Sequence, residues 1–286
     1  MIFSYWNFGS PLRGDNLCSP GLPRRFAPRN DGKTKKLAHC ALYLLISLTP
    51  LFADHDTPPP LPEIPWSFNG WNGTFKRDQL QRGFQVYKEV CSACHGIKRI
   101  RFRELQVLGF TEAQVKALAA TYDIEDGPNQ EGEMFTRKGL PSDSINGPYK
   151  NDKQAAAANH GATPPDLSLI VKARQGGADY IYALLTGYSE PPHGEKLTET
   201  EHYNRYFPGH KIAMASPLTG DGQVTYADGT AATIDQMAED VSAFLAFCSE
   251  PEMEDRKKGG FSTLLYLGFM TILFYLVKRK VWQDVK

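Results

Sequence analysis

Cysteine is scarce in this chain: five occur among 286 residues, and only Cys91 and Cys94 have the spacing C-x-x-C. A structural zinc site needs two further Cys or His ligands at similar spacing, and no second C-x-x-C is present. Cys18 and Cys40 lie in or before a predicted signal peptide, which leaves Cys248 alone in the exported part. We therefore expect no internal disulfide there, and we expect stability to come from packing.

Internal repeats and clear strand patterns are also lacking. The regular signal is helical, because Leu80, Phe84 and Tyr87 recur at helical spacing. Thr111 is the expected N-cap of another helix. A last soluble helix is predicted near Thr233 to Phe247, with one apolar face formed by Ile234, Met237, Val241, Phe244 and Leu245.

Glycine and proline mark the loops and helix ends in the remaining segments of the exported part. Residues 123–151 are rich in Gly, Pro and Asp and predict a long irregular loop, and a short helix is expected within residues 173–188. Gly83 lies inside the first predicted helix, where glycine costs about 1 kcal/mol relative to alanine. Two explanations stay open: a close crossing against the Phe244 and Leu245 face, or a tolerated surface position.

The segment from Cys91 to His95 reads Cys-Ser-Ala-Cys-His, which is the spacing of covalent haem attachment. Each thiol can add to a haem vinyl group, and the adjacent His95 can then ligate the iron. A thioredoxin-like redox pair is the alternative, but it does not require the histidine and occurs in a βαβ context that is absent here. The motif therefore predicts one covalently attached haem c, held by Cys91, Cys94 and His95.

A histidine-ligated iron used for electron transfer commonly takes a methionine sulfur as its second axial ligand. Met214 is the best candidate, because it lies in an apolar loop stiffened by Pro208 and Pro217. Met134 lies in a polar loop, Met237 on a core stripe, Met253 among charges and Met270 in an apolar run. Imidazole also binds iron well, so four histidines remain rivals: His160, His193, His202 and His210.

The formal net charge is zero, with 32 basic and 32 acidic residues, but the charge is unevenly distributed. From Asp54 to Asp255 there are 18 Lys and Arg against 29 Asp and Glu, a net charge of −11. The compensating basic residues lie at the two ends. This pattern is typical of an exported domain with membrane-related termini, and we expect no nucleic-acid partner.

The N-terminal 53 residues predict an extension followed by a signal peptide. Lys33, Lys35 and Lys36 precede the apolar stretch from Leu37 to Ala53. At about 17 residues, interrupted by a histidine and a proline, that stretch is a poor candidate for a permanent span. Residues 1–32 make an unusually long leader. The exported haem domain is then predicted to occupy residues 54–255.

Residues 256–286 predict a C-terminal anchor. Phe261 to Val277 carries no charge and, with two preceding glycines, reaches about 19 residues or roughly 28 Å of helix. A span at about 260–277 is flanked by basic clusters on both sides, which favours a membrane helix over a buried core helix. Since haem is attached outside the cytoplasm, the domain should lie outside and the short tail ending at Lys286 inside.

In its haem motif, its methionine loop and its C-terminal anchor, the chain resembles the cytochrome c1 family, the haem subunits of ubiquinol–cytochrome c oxidoreductase. The resemblance runs from about Trp66 to Lys280. The matching segments are Arg82–Val90, Asp126–Asn129, Gly132–Phe135, Gly161–Ser168, Ala173–Gly177, Leu184–Tyr188, Phe207–Leu218, Tyr226–Thr230 and Glu250–Glu252.

The resemblance implies a mainly α fold: a c-type cytochrome core with long loop insertions and one C-terminal transmembrane helix. It implies that Cys91 and Cys94 hold the haem, with His95 and Met214 as the axial pair. Arg174 resembles an arginine near a haem propionate, although a surface charge is the alternative. Pro165 resembles a proline that packs on the histidine side of the haem.

The implied function is one-electron relay in respiratory electron transport. The chain would accept electrons from the Rieske iron–sulfur subunit and pass them to a soluble or tethered cytochrome c. It would not be an enzyme by itself, since quinol oxidation belongs to the cytochrome b and Rieske subunits. Two alternatives stay open: a free membrane-anchored cytochrome c shuttle, and a haem sensor or peroxidase with an open sixth position. We expect a cell inner membrane location with a periplasmic haem domain, in preference to the mitochondrial inner membrane.

The acidic loop suggests a docking site for a basic cytochrome c, because complementary charge speeds association. Its acids are Asp123, Glu125, Asp126, Glu131 and Glu133. A merely solvated surface is the alternative.

Overall fold

The computed structural model describes residues 58–285. The predicted extension and signal peptide, residues 1–53, lie outside the described residues and stay predictions. Helices dominate the described part, which confirms the mainly α fold. The helices are α1 Arg77–Glu89, α2 Glu112–Ala119, α3 Asp152–Ala158, α4 Ile170–Ala173, α5 Gly177–Thr186, α6 Ile234–Ser249 and α7 Met253–Val281, with 3₁₀ turns at Cys91–Ala93 and Phe102–Leu108.

Strands occur only as three two-stranded antiparallel pairs within residues 58–285. They are β1 Ile97–Arg101 with β4 Ser144–Ile145, β2 Asp123–Asp126 with β3 Phe135–Lys138, and β5 His202–Tyr203 with β6 Lys211–Ile212. Because each pair is short, it stabilises a loop locally, and none of the three forms a sheet layer of the core.

The prediction of an irregular loop over residues 123–151 is wrong in part. β2 and β3 form a hairpin in which Asp123 pairs with Lys138 and Asp126 with Phe135. The hairpin is stabilised by charge: Arg137 bonds Asp126 at 2.5 Å and Asp143 at 2.6 Å. Because both strands are mostly exposed, they lack the apolar alternation that identifies strands in a sequence.

Helix α6 is the centre of the core and packs against α1, α4 and α5. The sequence predicted a single apolar face, but the helix is buried on nearly all sides, including Ala238, Ser242 and Ala246. Small residues at these positions let the neighbouring helices approach. Aromatic rings fill the rest of the α1 interface, with Phe84 and Phe244 centroids 5.6 Å apart.

Gly83 lies at the crossing of α1 with α6, which confirms the first of the two explanations. A Cβ at this position would overlap the Asp240 carbonyl oxygen and lie 2.7 Å from the Phe244 Cβ. The adjacent Arg82 bonds both Asp240 carboxylate oxygens, at 2.9 and 3.1 Å, and Asp228 at 2.8 Å. Since the Asp240 side chain is fully buried, this ion pair fixes the register of the two helices.

The other predicted helices are confirmed with adjusted ends. Thr111 caps α2, because its Oγ1 accepts from the Gln114 N–H while the Gln114 side chain accepts from the Thr111 N–H. The short helix expected within residues 173–188 is confirmed as α5, Gly177–Thr186. α4 ends at Ala173, and α5 begins at Gly177, after Gly176 has taken a φ of 87°.

Helix α7 follows α6 after only three residues, Glu250–Glu252. Glu250 braces this link through ion pairs with Arg256 on α7 and with Lys172 on α4, the latter at 3.2 Å. α7 is the only helix in the described part that is long and apolar enough to cross a membrane, with a mean hydropathy of 1.8 in its most apolar window. None of that window is buried, so the alternative of a core helix is wrong.

Replacing Gly83 with Ala should destabilise the protein. Alanine has the better helix propensity by about 1 kcal/mol, so an uncrowded position would be stabilised. At this crossing the added methyl group forces α1 and α6 apart, and we expect a net loss of about 1–3 kcal/mol. Chemical unfolding of the full-length haem-loaded protein in detergent micelles, followed by circular dichroism, measures the change.

Gly220→Ala is the matched control, because a Cβ there meets no atom within 4 Å. We expect its unfolding midpoint to stay close to that of the parent. A Gly83→Ala protein as stable as the Gly220→Ala control would contradict the crossing.

Candidate haem-binding site

The Cys-Ser-Ala-Cys-His motif forms a tight turn directly after α1. Cys91–Ala93 is a single 3₁₀ turn, and the backbone N–H groups of Cys94 and His95 both donate to the Cys91 carbonyl, at 3.1 and 2.9 Å. Two thiols and an imidazole are therefore carried by one hydrogen-bonded turn. The turn is fixed in space by α1, which is itself fixed by its crossing with α6.

The His95 ring is held by a single backbone acceptor. Its Nδ1 lies 2.7 Å from the Pro165 carbonyl oxygen. A carbonyl can only accept, so Nδ1 carries the proton and Nε2 keeps its lone pair free to bind a metal. Burial lowers the pKa of His95, which favours this neutral ring. The buried Tyr87 hydroxyl fixes the backbone by donating to the His95 carbonyl at 3.1 Å.

The segment from Pro165 to Ser168 runs beside the residues that follow His95. The Leu167 N–H donates to the Gly96 carbonyl at 2.8 Å, and the Lys98 N–H donates to Asp166 at 2.9 Å. The Pro165 carbonyl is thus held in place by its neighbours. The resemblance predicted that the Pro165 ring packs on the haem; the contact in the structure is through the carbonyl oxygen, and ring packing stays a prediction.

The Cys91 thiol packs against the apolar core of the domain. Desolvation raises the pKa of the Cys91 thiol to about 12, with a smaller contribution from Cys94. A neutral thiol and the neutral thioether that replaces it are both compatible with such surroundings. Within residues 58–285 no three His, Cys, Asp or Glu side chains are grouped to hold a metal ion, so the pair lacks the partners of a zinc site.

Met214 lies in a loop that is fixed from two sides. The Tyr188 hydroxyl donates to the Met214 carbonyl at 3.0 Å, and burial raises the pKa of Tyr188, so the hydroxyl stays protonated. The β5–β6 hairpin pairs Tyr203 with Lys211 just before Met214. The loop is therefore a defined structure, as expected for a segment that presents a ligand.

Asn204 organises the same loop and was not found from the sequence. It is fully buried, and its Nδ2 donates to the Leu184 carbonyl of α5 at 2.7 Å. Its Oδ1 accepts from the N–H groups of Tyr206 and Phe207, at 3.0 and 3.3 Å. A lone asparagine in a polar segment gives no sequence signal of burial, so only the fold shows this role.

The rival histidines differ in their surroundings. His160 and His193 are exposed, and His202 lies in β5 opposite Ile212. His210 is the strongest rival: it stacks on Tyr203 at 5.6 Å, and its buried Nδ1 has no hydrogen-bond partner in the described part. It lies just before β6 and Met214 lies just after it, so the two are close in sequence and the choice between them stays a prediction.

Arg174 lies in the break between α4 and α5 and is exposed. Its guanidinium donates to the Ala173 carbonyl at 3.2 Å and forms no ion pair among the described residues. The guanidinium lies near Tyr180, where burial raises the pKa of the phenol and the positive charge of Arg174 offsets only part of that rise. Arg174 therefore retains an unpaired positive charge, as a propionate partner would.

The site and fold together define a class. A neutral imidazole and two thiols lie on one turn at the end of a helix that crosses the central helix of the core, and a helix long enough to span a membrane follows. This is the arrangement of a membrane-anchored c-type cytochrome.

The sequence profile of the Cytochrome C1 family matches residues 66–285, most of the chain. The chain therefore belongs to the Cytochrome C1 family, and its cofactor is a covalently attached haem c.

Similar proteins occur in bacteria and in mitochondria. Cytochrome c1 of Rhodospirillum rubrum is 49% identical over 237 residues, which covers 77% of this chain and 87% of the relative. The mitochondrial cytochrome b-c1 complex catalytic subunit of Candida albicans is 50% identical over 235 residues, covering 82% and 81%. Cytochrome b/c1 of Bradyrhizobium diazoefficiens is 47% identical over 241 residues, covering 77% of this chain and 35% of that protein.

Proposed function

We propose that this chain is the electron-relay subunit of a ubiquinol–cytochrome c reductase, receiving electrons from a Rieske iron–sulfur subunit and delivering them to a c-type cytochrome. The observation that carries the proposal is the motif turn with the His95 Nδ1 on the Pro165 carbonyl, in a chain of the Cytochrome C1 family. The haem supplies a one-electron carrier. The chain itself breaks no bond of a substrate.

Each site residue has a proposed task. Cys91 and Cys94 hold the haem through thioether bonds, and His95 binds the iron through Nε2. Met214 supplies the second axial ligand, a soft thioether that stabilises ferrous iron and raises the reduction potential. Arg174 neutralises a propionate, because an unpaired guanidinium binds a carboxylate strongly. The Pro165 ring packs on the His95 side of the haem.

Membership of the complex is supported by the names of two relatives. One is named a cytochrome b-c1 complex subunit, and another, cytochrome b/c1, combines the two designations in its name. We propose cytochrome b and a Rieske subunit as partners and a soluble or tethered cytochrome c as acceptor. Quinol binding and oxidation then belong to the partners, so the chain is not an enzyme by itself.

The location follows from the anchor and from the chemistry of haem attachment. α7 crosses the membrane once, and the haem domain lies on the side opposite the C-terminal tail. Covalent haem attachment occurs outside the cytoplasm, so we propose a periplasmic domain on a cell inner membrane. The alternative is the mitochondrial inner membrane, since some relatives are mitochondrial.

Co-purification tests the complex against the free shuttle. A tagged full-length chain, expressed in its native membrane and extracted in mild detergent, should bring cytochrome b and a Rieske subunit in near-equal amounts. The extract should also reduce cytochrome c when ubiquinol is supplied. Recovery of the haem-loaded chain alone, with the ubiquinol–cytochrome c reductase activity in other fractions, would favour the shuttle.

Met214→Leu tests the axial ligand and the sensor alternative together. Haem should stay attached through the two cysteines, while the reduction potential falls and the weak far-red band of methionine-ligated ferric haem disappears. Met134→Leu is the control, because Met134 is exposed in the loop between β2 and β3. A parent protein without the far-red band would contradict methionine ligation, and His210 would then be the next candidate.

Of the five acids in the predicted docking loop, we propose Glu131 and Glu133 as the charges that a basic cytochrome c would contact. Asp123, Glu125 and Asp126 are engaged in ion pairs with Lys138, Lys150 and Arg137, at 2.7, 2.9 and 2.5 Å. Glu131 and Glu133 are exposed and have no ion pair among the described residues. They flank the tip of the hairpin, where the apolar Met134 and Phe135 are also exposed.

Replacing Glu131 and Glu133 with Gln should slow electron delivery to a basic cytochrome c at low ionic strength, because charge steering raises association rates. The difference should shrink as salt is added, since screening acts over about 10 Å at 0.1 M. Stopped-flow oxidation of the reduced protein measures the rate. Glu63→Gln with Glu112→Gln removes the same charge elsewhere on the exposed surface. Equal rates for the two double variants at low salt would exclude the hairpin tip as the docking site.

A further inference from the structure

A closed loop lies where the haem domain meets α7. Residues 66–75, the interfacial loop, are closed by hydrogen bonds from the Asn69 N–H to the Trp66 carbonyl, at 3.1 Å, and from the Thr74 N–H to the Ser67 carbonyl, at 3.0 Å. Gly73 is required by this closure. A Cβ there would overlap the Asn69 carbonyl oxygen and lie 2.6 Å from the Phe68 carbonyl carbon.

The interfacial loop is bound to α7 by two side chains of the helix. Lys257 Nζ donates to the Phe68 and Gly73 carbonyls, at 2.7 and 3.0 Å. Glu254 accepts from the Phe75 N–H at 2.9 Å and pairs with Arg77 at 3.0 Å. These bonds cross from the first residues of the domain to the start of the anchor and hold the loop against it.

The interfacial loop presents an aromatic side chain to the surroundings. Trp71 is 75% exposed, although its backbone is fixed, and its ring lies 6.1 Å from that of Phe261 on α7. A cavity of about 220 Å³ lies beside them, lined also by Asn72, Thr74 and Lys258. Trp71 and the exposed Phe261 together extend the apolar surface of α7 onto the interfacial loop, and a contiguous exposed apolar patch of this kind marks a surface that contacts a partner or a membrane.

The charges around the cavity favour an anion. The carboxylate of Glu254 is already compensated by Arg77. Lys257 is bonded to neutral carbonyls and has no carboxylate within 4 Å in the described part. Lys258 is mostly exposed and lies 3.8 Å from Asp255, a loose pair. The cavity therefore has an excess of positive charge.

The position of the cavity identifies the kind of partner. Phe261 begins the uncharged run of the anchor, so the residues just before it lie at the depth of the lipid head groups. Tryptophan is enriched at that depth, and lysine is attracted there by anionic lipid. The cavity combines an aromatic wall, two cations and the polar side chains of Asn72 and Thr74.

We propose that this cavity is a binding site for the head group of one anionic phospholipid from the leaflet that faces the haem domain. Lys258 contacts the phosphate, Asn72 and Thr74 bond the head group, and Trp71 with Phe261 packs on the upper acyl chain. The site does not depend on the haem. It couples a lipid to the junction between the domain and its anchor.

Photocrosslinking tests the site by position. The full-length haem-loaded chain is placed in nanodiscs of phosphatidylcholine that contain a phosphatidylglycerol with a photoreactive group near its head. After illumination, adducts are mapped by mass spectrometry. We expect adducts within residues 71–76 and 254–261, and we expect unlabelled phosphatidylglycerol to compete roughly fivefold better than phosphatidylcholine, the factor of one lysine contact.

Trp71→Ala and Lys258→Gln should each remove most of these adducts and leave haem content unchanged. Trp282→Ala and Lys280→Gln are the matched controls at the other end of α7, and they should leave the adducts within residues 71–76 intact. Equal competition by the two lipids would overturn the proposal, as would unchanged adducts in the first pair of variants. If Trp71→Ala or Lys258→Gln removed cytochrome b from the purified complex and left the lipid adducts unchanged, the surface would be a protein contact instead.

Discussion

The crossing of α1 with α6 is the constraint on which the rest of the structure depends. Gly83 removes the side chain that would separate the helices, and the Arg82–Asp240 pair fixes how far each slides along the other. An ion pair with a fully buried carboxylate is a poor source of net stability, because desolvation offsets its attraction. Here the pair fixes the register of α1 against α6, because a shift of either helix would leave Asp240 buried without a partner.

That register determines where the haem turn lies. The motif turn follows α1 by one residue, and the segment from Pro165 to Ser168 meets it through backbone bonds. α4 and α5 also pack on α6. The haem turn and the Met214 loop are therefore both positioned by the same central helix. The Met214 loop is attached to α5 through Asn204 and Tyr188. Each proposed ligand is therefore one or two contacts away from α6, although they are distant in sequence.

The local features with a strong chemical signature could be predicted from the sequence. Leu80, Phe84 and Tyr87 mark the buried face of α1, Thr111 caps α2, and the apolar run from Phe261 gives α7. The charged hairpin over residues 123–138 could not be predicted, because its pairing depends on Arg137 reaching two carboxylates. Asn204 and the Pro165 carbonyl were missed for a related reason: backbone groups and lone amides acquire roles only when the fold brings distant segments together.

The braced link between α6 and α7 has a mechanical consequence. Glu250, in this link, forms ion pairs with Arg256 on α7 and with Lys172 on α4. Lys257 on α7 also hydrogen-bonds the interfacial loop of the domain. A domain attached at two points cannot swing about its anchor as a tethered carrier does. Its height above the bilayer is then a fixed length, set by the protein. Electron tunnelling requires close approach, so in the proposed relay any travel between the proposed donor and acceptor would be made by those partners and not by this chain.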